Sequence, residues 1–262
     1  MSAALSPIDK AKAAAAHRAA EFVETGMKVG LGTGSTAAWL VKRLGERVRD
    51  EGLRIKGVPT SSRTAALARE VGIEVVDLAE ARWLDICIDG ADEVDPEMNL
   101  VKGGGGALLQ EKIVASAAER FVVIADPTKK VETLGGFPLP VEVVRFGWQV
   151  TQALIEEALV GLDVLGREAV LREAGGQPFV TDEGHHILDL HLHRIGDARQ
   201  LSMVVNQIPG VVENGLFLDM ADVLVLGLSD GRVEVRGLVS GVTQEERRAL
   251  GEPDNLFTEI AD

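Results

Sequence analysis

Short apolar runs alternate with helical segments through the first half of this 262-residue chain. Neighbouring parallel strands need such an alternation, because the chain must cross back between them, usually through a helix. The sequence therefore predicts an α/β fold with a doubly wound, mostly parallel Rossmann-like sheet. Its predicted strands are Met27–Leu31, Arg54–Val58, Ile73–Asp77, Asp85–Ile88 and Phe121–Ala125, and its predicted helices span 7–24, 37–48, 61–71 and 107–120.

The pattern changes after Gly135, where shorter strand and helix signals predict a smaller inserted α+β domain over 138–211. These signals are a strand at Val141–Val144, a helix at Trp148–Leu159, hairpin-like strands near 173–184 and a helix at Leu201–Gln207.

The apolar run Asp222–Leu228 is expected to return to the main sheet. The Rossmann-like catalytic domain would then comprise 1–137 and 212–239. Residues 240–262 form a charged, weakly patterned C-terminal extension of unassigned role, in which 243–250 is compatible with a short helix.

Composition narrows the function classes. The net charge of −14 argues against a nucleic-acid or anionic-membrane partner, which would need clustered Lys and Arg. The single cysteine, Cys87, cannot form an internal disulfide and lies in an apolar run, where it is expected to be buried. With no signal-peptide pattern and no apolar stretch of about 18 residues, the expected location is cytoplasmic.

The loop Gly32–Thr36 lies between a predicted strand and a helix. Its glycines allow a tight turn, and the first amides of the helix, with the hydroxyls of Ser35 and Thr36, could bind an anion. It is neither a phosphate-binding loop with a lysine nor a complete dinucleotide fingerprint, so a phosphate without an adenosine fits better. A plain tight turn is the structural alternative. At the next strand end, 57–62 fits helix capping and ligand contact equally well.

Asp89 and Asp92 follow a buried strand. They do not match the ligand spacing of a calcium loop. Two carboxylates three residues apart suit hydrogen bonds to sugar hydroxyls and proton transfer, whereas a solvated acidic turn is the alternative. The nearby Glu93, Asp95 and Glu97 are expected to face water.

Lys102 and Glu111 bracket four glycines, Gly103 to Gly106. Bare backbone there lets amides approach a bound oxygen, and the following helix points its positive end at the same place. A carboxylate beside amides and a lysine can move a proton next to a carbonyl group and stabilise the resulting oxyanion. A capped turn with a surface glutamate is the alternative.

Lys129 and Lys130 follow a further strand end, Asp126–Thr128, and one of them could reach a phosphate. The five histidines have no partner carboxylate or cysteine spaced to complete a zinc site, so no metal site is expected. No cofactor is expected either.

Five ordered motifs closely resemble the A-type ribose-5-phosphate isomerase family. They are Gly-Leu-Gly-Thr-Gly-Ser-Thr, Gly-Val-Pro-Thr-Ser-Ser, Asp-Gly-Ala-Asp-Glu, Lys-Gly-Gly-Gly-Gly-Ala-Leu-Leu-Gln-Glu-Lys and Ala-Asp-Pro-Thr-Lys. Phe-Pro-Leu-Pro-Val-Glu-Val and Ile-Pro-Gly-Val-Val-Glu-Asn-Gly-Leu-Phe agree with it as well, so the resemblance covers about residues 6 to 235.

The resemblance implies metal-independent interconversion of ribose 5-phosphate and ribulose 5-phosphate in the pentose phosphate pathway by a homodimer or homotetramer. Glu111 would be the base, Asp89 would assist ring opening, Asp92 would hold hydroxyls, and Lys102 with the Gly103–Gly105 amides would stabilise the oxyanion. Other residues implied in substrate binding are Thr33, Gly34, Ser35, Thr36, Gly90, Ala91 and Lys129, with Lys12 as a further phosphate contact.

Other functions are known in the same fold class. A sugar-phosphate-sensing regulator would need a basic DNA-binding region, for which this chain has neither spare N-terminal length nor positive charge. A coenzyme A transferase would need a glutamate nucleophile, and Glu111 alone does not exclude that class. The resemblance also leaves about 25 C-terminal residues beyond the usual end of the family.

Overall fold

The computed structural model describes residues 5–237 and, for the backbone alone, 243–247. Its helices are α1 (Pro7–Ala20), α2 (Ser35–Asp50), α3 (Ser62–Glu70), α4 (Leu78–Ala81), α5 (Leu108–Ser116), α6 (Trp148–Leu159) and α7 (Ala198–Asn206).

Most strands are short. They are β1 (Lys28–Leu31), β2 (Lys56–Pro59), β3 (Glu74–Val75), β4 (Ile86–Gly90), β5 (Glu93–Val94), β6 (Leu100–Val101), β7 (Phe121–Ala125), β8 (Leu139–Val143), β9 (Glu168–Leu171), β10 (Glu173–Ala174), β11 (Gln177–Pro178), β12 (His186–His191), β13 (Val211–Asn214), β14 (Leu216–Phe217), β15 (Val223–Gly227), β16 (Arg232–Gly237) and β17 (Thr243–Arg247).

The chain divides into two compact units. The described residues of the first are 5–90, 114–128, 221–237 and 243–247, and the second comprises 91–113 and 129–220. The expected domain limits stay a prediction.

The first unit contains an eight-stranded sheet in the order β17-β16-β15-β7-β4-β1-β2-β3. The strands from β15 to β3 in that order pair in parallel, and β16 and β17 extend the β15 edge with antiparallel pairing. The order reverses next to β1, which lies between β2 and β4, as in doubly wound sheets. The expected α/β class is confirmed, and 222–228 does return to the main sheet. The helix considered for 243–250 is wrong, because 243–247 pairs with β16; the rest of the expected extension 240–262 lies outside the described residues.

Small residues let α1 lie close to the sheet of this unit. Seven of its alanines are buried, and a Cβ atom at Gly227 of β15 would lie 2.0 Å from the carbonyl oxygen of Ala11. The core beneath includes Trp39 and Leu44 of α2 and the fully buried β-branched residues of the central strands. Cys87 is buried in β4, as expected.

The second unit contains a four-stranded antiparallel sheet in the order β13-β8-β12-β9 and a three-stranded sheet in the order β14-β6-β5. A separate hairpin pairs β10 with β11. Helices α6 and α7 contribute Ile155, Leu159, Leu201 and Val205 to the core of this unit, together with alternate residues of β8 and β12.

Candidate active site

The glycine loop after β1 leads directly into α2 in the first unit. Gly34 is the N-cap of α2 and has φ 111°, a backbone conformation that residues other than glycine rarely adopt. Ser35 is exposed at the first helical position, and Thr36 is nearly buried behind it. The first amides of α2 can therefore receive an anion, with the Ser35 hydroxyl beside them.

Hydroxyl groups from the next strand end hold this loop. Thr33 Oγ1 lies 2.7 Å from Thr60 Oγ1 and 2.8 Å from Ser61 Oγ, and Thr64 Oγ1 donates to the carbonyl of Gly32 at 3.0 Å. Ser61 also caps α3 by accepting from the amide of Thr64. The segment that the sequence left undecided between capping and ligand contact thus caps a helix and fixes the neighbouring loop.

Asp89 lies at the end of β4, next to β1 in the sheet, and is almost fully buried. Its Oδ1 accepts from the amides of Thr33 at 3.1 Å and Gly90 at 2.7 Å. A Cβ atom at Gly32 would lie 2.1 Å from that oxygen, so only glycine permits this approach. The structure therefore joins two sites that the sequence identified separately.

In the second unit, Lys102 and Glu111 form a buried ion pair. Lys102 follows β6, and its backbone amide donates to the carbonyl of Gly215 at 2.8 Å. Its ammonium group lies 5.4 Å from the centre of the Phe217 ring. Glu111 projects from the first turn of α5. The alternative of a surface glutamate is wrong, because Glu111 is nearly inaccessible to solvent.

The four glycines between them form a tight loop. Gly103 and Gly106 have φ 106° and 80°, and the amide of Gly106 donates to the carbonyl of Gly103 at 3.0 Å. The amide of Gly104 donates to Asp92 Oδ2 at 2.7 Å. Asp92 is thereby tied to the glycine loop of its own unit, which its position in the sequence did not show.

The burial of Glu93 differs from the expectation based on the sequence. It was expected to face water, yet it is buried and its carboxylate accepts from the amides of Gly135 at 2.7 Å and Phe137 at 2.6 Å. The two-residue strand β5, which the sequence did not predict, turns this side chain inward. Glu97 is exposed as expected, whereas Asp95 is partly buried and accepts from the amide of Asn99.

Asp126 directly follows β7 and shapes the turn before the two lysines. Its Oδ1 accepts from the amide and the hydroxyl of Thr128, at 2.9 and 2.5 Å. A single 3₁₀ turn, Pro127–Lys129, follows, in which Lys129 is partly buried, while Lys130 is exposed. Lys12 is partly buried on α1.

Across the described chain, no group of three or more His, Cys, Asp or Glu side chains is arranged to hold a metal ion. Residues 5–237 and 243–247 also include no helix that is long and apolar enough to cross a bilayer.

The sequence of this chain matches a family model described as ribose 5-phosphate isomerase A (phosphoriboisomerase A) over residues 56–231. Curated proteins named ribose-5-phosphate isomerase A are similar along the whole chain. The protein from Ruegeria pomeroyi is 68% identical over 262 residues, which is 100% of both chains, and that from Jannaschia sp. is 66% identical over 99% of both. The C-terminal segment is therefore shared with such relatives.

Solved structures of ribose 5-phosphate isomerases have the same fold. The enzyme from Methanocaldococcus jannaschii is 41% identical, with a TM-score of 0.79 over 86% of this chain and 97% of that chain. A second, solved in complex with phospho-erythronic acid, is 38% identical, with a TM-score of 0.79 over 92% and 99%. The enzyme from Plasmodium falciparum is 30% identical, with a TM-score of 0.80 over 93% and 100%.

Proposed function

The chain belongs to the ribose-5-phosphate isomerase A family, which interconverts ribose 5-phosphate and ribulose 5-phosphate, and from this premise we propose the roles of its residues in that reaction. The reaction is an aldose–ketose isomerisation in the pentose phosphate pathway. It moves one proton between C2 and C1 of the open-chain sugar, while a hydroxyl proton passes from O2 to O1.

Glu111 is the proposed base. Its carboxylate removes the proton from C2 of the aldose, the electron pair moves into a C1–C2 double bond, and the carbonyl oxygen at C1 becomes an enediolate oxygen. The same carboxyl group then returns the proton to C1, which leaves the carbonyl at C2. The observation that carries this role is the burial of Glu111 beside the ammonium group of Lys102.

Lys102 and the amides of Gly103, Gly104 and Gly105 are the proposed stabilisers of the enediolate oxygens. Preorganised donors aimed at developing negative charge are among the largest contributions to enzymatic rate enhancement. The fixed position of Lys102 and the positive φ of Gly103 support this role, because both restrict where the donors can point.

The remaining roles concern the substrate's ring and phosphate. Asp89, with Gly90 and Ala91, assists ring opening in this proposal, and Asp92 accepts hydrogen bonds from sugar hydroxyls. In this proposal the phosphate binds at the N-terminus of α2, where Ser35 is exposed and Gly34 adopts a positive φ. The other residues proposed to bind the substrate are Thr33, Thr36, Lys129 and Lys12.

One assay tests the reaction and its chemistry together. The protein is incubated with ribose 5-phosphate in D₂O containing EDTA, and ribulose 5-phosphate is followed by NMR. We expect ketose that carries deuterium at C1, because a proton held on a carboxyl group exchanges with solvent. Failure to form ketose would reject the activity in this chain, and ketose without any deuterium would favour a hydride shift over an enediolate.

A homodimer or homotetramer in the cytoplasm is the proposed state. The exposed apolar side chains of Phe146, Val150 and Leu154 at and before α6 support self-association. The single cysteine of the chain, which cannot form an internal disulfide, supports a reducing compartment. Light scattering coupled to size exclusion would measure the mass, and a monomer at micromolar concentration would contradict the oligomer.

A further inference from the structure

The glycine loop of the second unit is contacted by a segment of the chain about 70 residues away. Arg172, which follows β9, donates from Nη1 to the carbonyl of Gly103 at 2.8 Å and to that of Gly104 at 3.2 Å. The ring of Phe179 lies so close to Gly106 that a Cβ atom there would be 2.4 Å from it. The segment that carries Arg172 and Phe179 therefore packs against this loop.

Arg172 is itself held in place by Asp189 of β12. Its Nε and Nη2 atoms donate to the two carboxylate oxygens at 2.9 and 2.5 Å, a bidentate arrangement that fixes the plane of the guanidinium group. Strands β9 and β12 are paired, with Val170 opposite Asp189, so the acid lies on a rigid element. Both hydrogen bonds of Nη1 go to carbonyl oxygens of the loop.

A hydrogen bond to a carbonyl also orients an amide. In a trans peptide the C=O of one residue and the N–H of the next point in opposite directions in one plane, and the described chain contains no cis peptide bond. Arg172 therefore sets the direction of the N–H groups of Gly104 and Gly105. The Gly104 N–H is aimed at Asp92 Oδ2, at 2.7 Å, which extends the contact chain from Asp189 to Asp92.

A run of four glycines needs such a restraint. Glycine has more backbone freedom than any other residue, so a loop of this kind would spread its amides over many directions unless something outside it held them. Donors that stabilise an oxyanion are effective only when they are already oriented before the charge develops.

We propose that Arg172, clamped by Asp189, is a positioning residue that orients two glycine-loop amides: the Gly105 N–H for the enediolate and the Gly104 N–H for Asp92. The inference rests on the proposed use of the Gly103–Gly105 amides. Arg172 itself acts through the loop, since its charge is neutralised by Asp189 and its free donor is occupied by carbonyl oxygens.

The test compares Arg172→Met with a matched control, Arg194→Met. Arg194 also pairs with an aspartate, Asp163, but this pair is exposed and its interactions do not include the loop. We expect Arg172→Met to lower kcat about 10- to 100-fold, the cost of small misplacements of catalytic groups, with KM changed less than threefold. Arg194→Met should keep the parent kcat.

Two inhibitors separate positioning from general damage. Phospho-erythronic acid carries a carboxylate in place of the reacting carbons, so Arg172→Met should weaken its inhibition by about the same factor as kcat. Inhibition by inorganic phosphate should stay within twofold, because the phosphate subsite does not depend on the loop. Equal weakening of both inhibitors, or a folded Arg172→Met variant with kcat within twofold of the parent, would overturn the proposal.

Asp189→Asn covers the case in which Arg172→Met does not fold, because it keeps the shape and one acceptor while removing the charge. It should also lower kcat, by a smaller factor than Arg172→Met. An unchanged kcat would overturn the proposal that Asp189 holds Arg172 in place. Glu111→Gln keeps the two hypotheses apart. If it abolishes turnover while Arg172→Met does not reduce it, the positioning role alone falls; if Glu111→Gln retains turnover, the proposed base falls.

Discussion

Nζ of Lys102 lies 3.4 Å from Oε2 of Glu111, and these side chains are only 2% and 4% exposed. A buried pair of opposite charges is costly to create, since each ion loses its hydration, and it is often no more stable than a pair of apolar residues. A function that needs both charges in a dry site explains why the pair is useful. The glycine backbone beside it provides donors without adding side chains.

Replacement of Glu111 by Gln should remove turnover and leave substrate binding nearly intact. The amide keeps the size of the carboxyl group but cannot take a proton from carbon. We expect kcat to fall at least about 1,000-fold, in the range reported for loss of general acid–base groups, with the dissociation constant of ribose 5-phosphate changed only a few-fold. Stopped assays and calorimetric titration measure the two quantities. The exposed Glu97→Gln is the control, and kcat of Glu111→Gln within tenfold of the parent would show that another group is the base.

Replacement of Lys102 by Met should destabilise the fold through the charge that it leaves behind. Glu111 would then be a buried carboxylate without its ammonium partner, a change that typically costs about 3–5 kcal/mol of unfolding free energy. The double variant Lys102→Met/Glu111→Gln should recover part of this loss, because neither charge remains. Urea unfolding of the parent and the three variants gives the coupling energy. If the loss in the double variant equals the sum of the two single losses, the pair is not coupled.

Gly32→Ala should weaken both stability and activity. The new methyl carbon would lie 2.1 Å from Oδ1 and 2.6 Å from Cα of Asp89, so backbone as well as side chain must move. Overpacking of this kind costs about 1–3 kcal/mol, and displacement of Asp89 should lower kcat/KM at least about tenfold. Gly161→Ala is the matched control, since its Cβ atom would meet nothing closer than the carbonyl of Ala158 at 3.9 Å. A Gly32→Ala variant as active as Gly161→Ala would show that activity does not need the close approach of Asp89 to the backbone at Gly32.

His17 should make the fold less stable in mild acid. Burial lowers its pKa from 6.5, with the charge of Arg43 as a second cause, and its Nε2 forms no hydrogen bond within the described chain. The unfolded chain then takes up a proton near pH 6.5 that the folded chain resists. The contribution of His17 to the unfolding free energy is therefore present above pH 6.5. It is lost as pH falls below that value, by at most about 1.4 kcal/mol per pH unit.

His17→Gln should remove this part of the pH dependence, measured as urea unfolding free energies between pH 7.5 and 5.5. Parallel curves for the parent and His17→Gln would show that the His17 proton contributes nothing.

The alternation of apolar runs and helical segments determined the class of fold because it is a local property. Strand and helix periods, glycine breaks and capping residues are read over a few positions, and they predicted β7 and α6 to the residue. The same local signals identified the loops at 32–36, 89–92 and 102–111, since glycines and charged residues beside a strand end can be recognised from the sequence alone. The two-residue strands β5, β6 and β14 were missed, because so few residues carry no period.

Only the tertiary structure decided which of these residues meet and which face water. Asp89 reaches the amide of Thr33 because β1 and β4 are neighbours in the sheet, although 56 positions separate them in sequence. Glu93 and Glu97 look alike in the sequence, yet one is buried on two amides and the other is exposed. Arg172 gave no sequence signal, since a lone arginine in a hairpin resembles a solvated one until β9 and β12 pair. Long-range contacts depend on strand order and register, which local patterns do not encode.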